Sequence, residues 1–181
     1  MGNQTGIKNS AFKDFVNGDK YVHEATLLPL EKAIKAIQET IEDNPEFEGV
    51  IEELAEYITD RPGREIIGIE KKLKSGGRQD LVEDAIYLKN KFERFIAKKQ
   101  LSLTEQNVYA HVLAAMDSSF NQLVRPLIQE KRPTSEIDEA IHKQIIEPIY
   151  ASIVGFNASI NVSLVRGMLY FLTGKCHLIW V

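Results

Sequence analysis

The sequence predicts a mainly α fold, an antiparallel helical bundle of about six or seven helices with short β elements at the N- and C-termini. Three observations lead there. Apolar residues recur at alternating steps of four and three through the middle of the chain, the signature of one buried helix face. Near the start, Phe12, Phe15, Val16, Tyr21 and Val22 surround Asn17-Gly18-Asp19, and Asn-Gly is a strong tight-turn signal. At the end, Cys176-His177-Leu178-Ile179-Trp180-Val181 follows Gly174 and is too short and too β-rich for a further helix. Residues 1–24 thus read as a β ribbon or arm, 25–175 as the bundle, and 176–181 as a strand of the same domain.

Leu30, Ile34, Ile37 and Ile41 share one face of a first helix, and Phe47, Ile51, Leu54 and Ile58 one face of a second. Asn44-Pro45 separates the two, since Pro suits a first helical position. Pro62-Gly63 interrupts the pattern, and a short helix from Glu65 to Lys74 ends at Gly76-Gly77. Leu81, Ala85, Leu88, Phe92 and Phe95 mark a long helix over 78–99. Tyr109, Leu113, Met116, Phe120, Leu123 and Leu127 mark another over 104–127, and Ser102 three residues before Glu105 forms a capping box. Joined by a short loop, these two should form an antiparallel hairpin at the centre of the bundle. Thr134 or Ser135 opens a helix carrying Ile137, Ile141, Ile145 and Ile149. Pro126 and Pro148 lie inside apolar-periodic stretches, so each should kink or end its helix. The segment 158–164 alternates like a strand, while Phe156, Ile160, Leu164 and Met168 fit a helix; its length through Leu172 favours helix.

The totals are those of an ordinary soluble chain: 181 residues, 44% hydrophobic and 27% charged, with a net charge of −4. A domain of this size buries about 70% of its unfolded surface, so it needs no disulfide, and its single cysteine cannot form an internal one. With no basic and apolar leader at the start, a cytoplasmic location is expected. The charge is unevenly spread. Glu39 to Asp60 holds nine acidic residues and no Lys or Arg, whereas Arg61 to Lys99 holds eleven basic and six acidic ones. From Tyr150 to Val181 only Arg166 and Lys175 are charged. Apolar chain of that extent belongs in a core or against a partner. It is no membrane span, because Arg166 stands near the middle of its most apolar window.

Few residues are grouped as chemistry would require. Glu139 and His142 make a single Glu-x-x-His, whereas carboxylate-bridged di-iron bundles need two such motifs and further inward Glu residues; an exposed helical contact is the plainer reading. Cys176 beside His177 suggests a thiol nucleophile, yet neighbours on a strand point to opposite faces, which favours packing. Gly76-Gly77 between Lys74 and Arg78 lacks the phosphate-loop pattern and a preceding strand, so it reads as a helix connector. No catalytic residue, metal or cofactor is expected. Lys71, Lys72, Lys74 and Arg78, with Lys89, Lys91, Arg94, Lys98 and Lys99, form a basic set that could touch a nucleic-acid backbone. Glu70, Asp80, Glu83, Asp84 and Glu93 interrupt that set.

Two stretches carry a resemblance. Asn9-Ser10-Ala11-Phe12-Lys13-Asp14-Phe15-Val16-Asn17-Gly18-Asp19-Lys20 resembles the Gly-Asp-Lys ribbons that precede helical modules in bacterial conflict proteins. Leu172-Thr173-Gly174-Lys175-Cys176-His177-Leu178-Ile179-Trp180 resembles the terminal signature of small helical domains in ABC-three-component systems, the class that includes Lamassu-type phage defence. The resemblance implies an assembly module joining an effector to an SMC-like ATPase. The chain departs in carrying no recognisable nuclease or protease domain, so effector activity would reside in another polypeptide. The expected function is a non-catalytic adaptor that docks through its terminal β elements and apolar C-terminal region, with Phe12, Phe15, Val16 and Trp180 as partner-binding residues. The alternative is a helical nucleic-acid-binding protein that uses Lys71, Lys72, Lys74 and Arg78.

Overall fold

The computed structural model describes residues 30–39, 50–98 and 101–181. The N-terminal ribbon, with Phe12, Phe15 and Val16, and the Asn44-Pro45 boundary lie outside them. Residues 30–39 form α1. There follow α2 (Glu52–Ile58), α3 (Gly68–Ser75), a 3-10 turn (Gln79–Leu81), α4 (Val82–Lys98) and α5 (Leu103–Ser119). Next come α6 (Arg125–Gln129), α7 (Thr134–Ile141), α8 (Glu147–Ile153) and α9 (Val162–Gly174). No strand occurs among the described residues.

Most of the periodic apolar positions are buried or half-buried, but Leu123 is exposed, and Val124 beside it is buried in its place. Ile34, Ile37, Leu54, Ala85, Leu88, Phe92, Leu113, Met116, Ile137 and Ile145 all enter one core, each large side chain contributing roughly 1.5–3 kcal/mol by leaving water. The expected capping box opens α5: Ser102 Oγ accepts from the Glu105 N–H at 3.2 Å, and Glu105 Oε2 accepts from the Ser102 N–H at 3.1 Å. Thr134 does open α7, but as its first helical residue, with Pro133 in the cap position and no side-chain cap.

The two internal prolines do not break the rod. A π-helical turn, Phe120–Val124, links α5 to α6, and a second, His142–Ile146, links α7 to α8. In each, the N–H before the proline reaches back five residues, Arg125 to the Phe120 carbonyl and Glu147 to that of His142. The wider turn accommodates a ring that would collide with the carbonyl four residues back in a regular helix.

The expected α4–α5 hairpin is not the centre of the fold. α4 lies along α9, while α4 and α5 meet chiefly where Phe95 sets its edge against Tyr109, with ring centroids 5.8 Å apart. α9 is the central element, buried from Leu164 to Thr173 except for Arg166, with α3, α4, α5 and α8 around it. Asn161 caps it, its Oδ1 accepting from the Leu164 N–H at 3.0 Å, so that 158–161 is a loop and helix begins only at Val162. Gly167 allows the α4 contact: a Cβ there would stand 2.6 Å from the Leu88 carbonyl oxygen and 3.1 Å from Phe92 Cβ. Phe171, one turn on, sets its ring edge-on to Phe92 at 5.2 Å.

Gly167→Ala must therefore push backbone apart, at a cost of about 2–4 kcal/mol. Gly155→Ala meets no atom within 4 Å and should change stability by less than about 0.5 kcal/mol. Urea unfolding of the two variants beside the parent chain measures the contrast.

Candidate partner-binding groove

α9 ends in a Schellman cap. The Cys176 N–H bonds to the Thr173 carbonyl at 3.3 Å and the His177 N–H to that of Leu172 at 2.9 Å. Cys176 takes φ 65°, the left-handed position that usually falls to glycine. Gly77, with φ 70°, does the same for α3, whose Leu73 and Lys74 carbonyls accept from Arg78 and Gly77. Gly76 lies against the tail, since a Cβ on it would stand 2.4 Å from the Trp180 carbonyl oxygen. The pair is thus a helix stop and a packing point, not a phosphate cradle.

The cap turns residues 176–181 back along α3 as irregular chain. The expected terminal strand does not form because these backbone groups have other partners. Arg64 Nη1 donates to the Cys176 carbonyl at 2.7 Å and to the His177 carbonyl at 2.5 Å. The Arg61 N–H takes the Lys175 carbonyl at 2.9 Å, and Lys72 Nζ takes that of Thr173 at 2.5 Å. These cations sit where the negative end of the α9 dipole favours them.

Trp180, expected at a partner surface, is instead a core residue of this chain, 2% exposed. Its Nε1 donates to Thr173 Oγ1 at 3.1 Å and its ring meets Phe120 at 5.2 Å. Cys176 and His177 are also buried. The imidazole Nε2 faces the Thr59 carbonyl at 3.3 Å and the ring packs 5.2 Å from Tyr57, while Nδ1 has no hydrogen-bond partner. Burial holds His177 below its ordinary pKa.

Between the tail and α3 runs a groove of about 270 Å³, lined by Ile67, Leu178, Ile179, Trp180 and Val181 with Arg64, Glu65, Lys72 and Ser75 among them. Ile66, between two lining residues, is 67% exposed.

The basic set is drawn apart by the fold. Lys71 is exposed, but Lys72 is buried on Thr173 and Lys74 pairs with Glu70 at 2.7 Å. Arg78, 2% exposed, donates from Nη2 to both Asp138 oxygens at 2.8 and 3.0 Å. The four do not form an open cationic face. Glu139 and His142 also part, Glu139 to Lys143 at 2.6 Å and His142 to Glu147 at 3.1 Å, all exposed.

A family model for C-terminal domain 9 of the ABC-three component (ABC-3C) systems matches residues 68–180, more than half of the chain. The chain belongs to this family. No curated protein and no solved structure matches it. In this ABC-3C chain the matched span begins at α3 and closes on Trp180, so it contains α9, its cap and the tail that walls the groove. Arg61, Arg64 and Ile66 precede it, on and just after the Pro62-Gly63 turn where the charge of the sequence changes sign. That reversal was the one sequence signal for them. Among the described residues no helix is long and apolar enough to cross a membrane, and no three His, Cys, Asp or Glu side chains are grouped to hold a metal.

The depressed His177 value means that the folded chain binds this proton less readily than the unfolded one. Its contribution to stability is therefore full above about pH 6.5 and is lost as pH falls through the folded value. Urea midpoints at about pH 7.5 and about pH 5.5 should differ more for the parent chain than for His177→Gln.

Proposed function

We propose that this ABC-3C domain is a non-catalytic adaptor, docking on other subunits of its system through the groove beside the C-terminal tail. The observation that carries this reading is an apolar groove with an exposed isoleucine on its border. Single exposed apolar residues are common, but this one adjoins a concave apolar wall held rigidly by Arg64, Trp180 and the α9 cap. Membership of a multi-component family supports the presence of other protein subunits; an SMC-like ATPase and a separate effector acting in phage defence are the partners this reading assigns. The polar residues that stand closest to a catalytic pattern in sequence have structural partners or are packed inside: Glu139 pairs with Lys143, His142 with Glu147, and Cys176 and His177 are buried at the α9 cap. The mode of docking differs from the sequence expectation. The apolar C-terminal region is the core of this chain, so only the outer edge of the tail is left for a partner.

Co-expression with the products of neighbouring genes tests the proposal. The chain should co-purify with at least one of them, and Ile66→Asp should reduce recovery of that partner about tenfold or more, as loss of a buried interface anchor does. Thermal unfolding of the variant should be unchanged, because Ile66 lies largely in solvent. A chain that stays alone and monomeric, or an Ile66→Asp variant that retains its partner, would contradict it.

A further inference from the structure

His177 is 1% exposed and stands where the segment 57–64 is bound to the end of α9. Its Nε2 faces the Thr59 carbonyl at 3.3 Å. A carbonyl only accepts, so Nε2 carries the proton and Nδ1 is the bare nitrogen of a neutral ring. Nδ1 is enclosed and has no hydrogen-bond partner. In the neutral ring that leaves one lone pair unused. In the imidazolium it leaves an N–H and a positive charge inside the protein with no acceptor, which is far more costly. The groups around the ring do not offset this. Arg61 and Arg64 stand on the turn, and Arg64 already holds the Cys176 and His177 carbonyls. From α2, Tyr57 sets its ring 5.2 Å from the imidazole, and burial pushes its phenol up, so it stays neutral in acid. Glu56 and Asp60 are exposed, and Cys176 is a buried thiol. The carboxylate that acts on the ring is Asp117 of α5, and its oxygens already meet Arg61 at 3.2 Å and Asn121 Nδ2 at 2.8 Å. Burial first, with Arg61 and Arg64 behind it, outweighs the pull of the Thr59 carbonyl and Asp117.

We propose that His177 is an acid-sensitive latch: a proton on its imidazole favours a state in which residues 176–181 leave the 57–64 segment and α3 while the helices stay folded, and so takes away one wall of the groove. The release is local, because the contact of α9 with α4 at Gly167 and Phe171 does not involve this ring. Control of partner binding by this latch rests on the groove reading above; the latch itself does not. A released tail takes up the proton at the ordinary histidine value, near about 6.5, so below it the open population grows by up to about tenfold per pH unit, until the lower value of the closed form is reached.

The tail carries its own reporter, the buried single cysteine of the chain. The rate at which Cys176 reacts with a neutral dipyridyl disulfide, divided by the rate for the urea-unfolded chain at the same pH, measures how often the tail is open. Between about pH 7.5 and about pH 5.5 this ratio should rise about five- to tenfold in the intact chain, with helical circular dichroism unchanged. The rise should vanish in His177→Gln, whose amide can still donate to Thr59, and persist in His142→Gln, an exposed histidine. A second readout needs no variant: in an NMR titration of the intact chain, His177 should take up its proton at lower pH than the exposed His111 and His142. A flat ratio in the intact chain, a rise that survives in His177→Gln, a rise accompanied by loss of helix, or a His177 titration at or above that of the exposed histidines overturns the inference. A partner seated in the groove holds the tail closed, so the co-purifying subunit should slow the Cys176 reaction at about pH 5.5. If the thiol profile is as expected but that subunit leaves the rate unchanged, the latch stands and the groove reading falls.

Discussion

The contact on which the rest of the molecule depends is the close approach of α9 to α4 at Gly167. No side chain fits between the helix and the Leu88 carbonyl, so the two rods meet at backbone distance and Phe92 and Phe171 lock beside the contact. A helix placed that deeply must hide both its ends. Its start is satisfied by Asn161. Its end could not be left open, because buried carbonyls without donors cost several kcal/mol in total. The Schellman cap, Lys72 and Arg64 supply those donors, and the turn they enforce carries Trp180 back onto Thr173 and Phe120. Core, tail and groove are consequences of one buried helix.

This accounts for the uneven charge. The basic residues after Asp60 do not spread over one solvated face. Lys72 and Arg64 neutralise the end of α9, Arg78 ties the start of the 3-10 turn to Asp138, and Arg61 reaches Asp117. Most of the apolar side chains of the nearly uncharged last 32 residues lie inward, so composition alone overstated how much surface they leave for partners.

Local structure was legible and long-range pairing was not. A spacing of three and four shows which face of a helix is buried, and Leu88, Phe92, Leu113 and Ile145 are buried as their spacing requires; it does not show which helix covers that face. The chain order suggested α4 against α5, whereas Gly167, seventy-five positions beyond Phe92, selects α9. Ser102 and Glu105 were readable because a capping box is local. Cys176 was not, since its left-handed φ stands where glycine is expected and its composition suggested a strand. Pro126 and Pro148 do not end their helices as expected, because the π turns before them absorb the ring. The groove has one wall from 64–67 and another from 178–181, and no motif joins segments so far apart.

Hydrogen exchange under native conditions tests most directly whether α9 is buried within this chain instead of being reserved for an interface. In the isolated chain, the amides of Leu169 to Thr173 should exchange only through global unfolding, with an opening free energy equal to that from urea denaturation. Rapid exchange there, with protection gained only when partner subunits are added, would contradict the account.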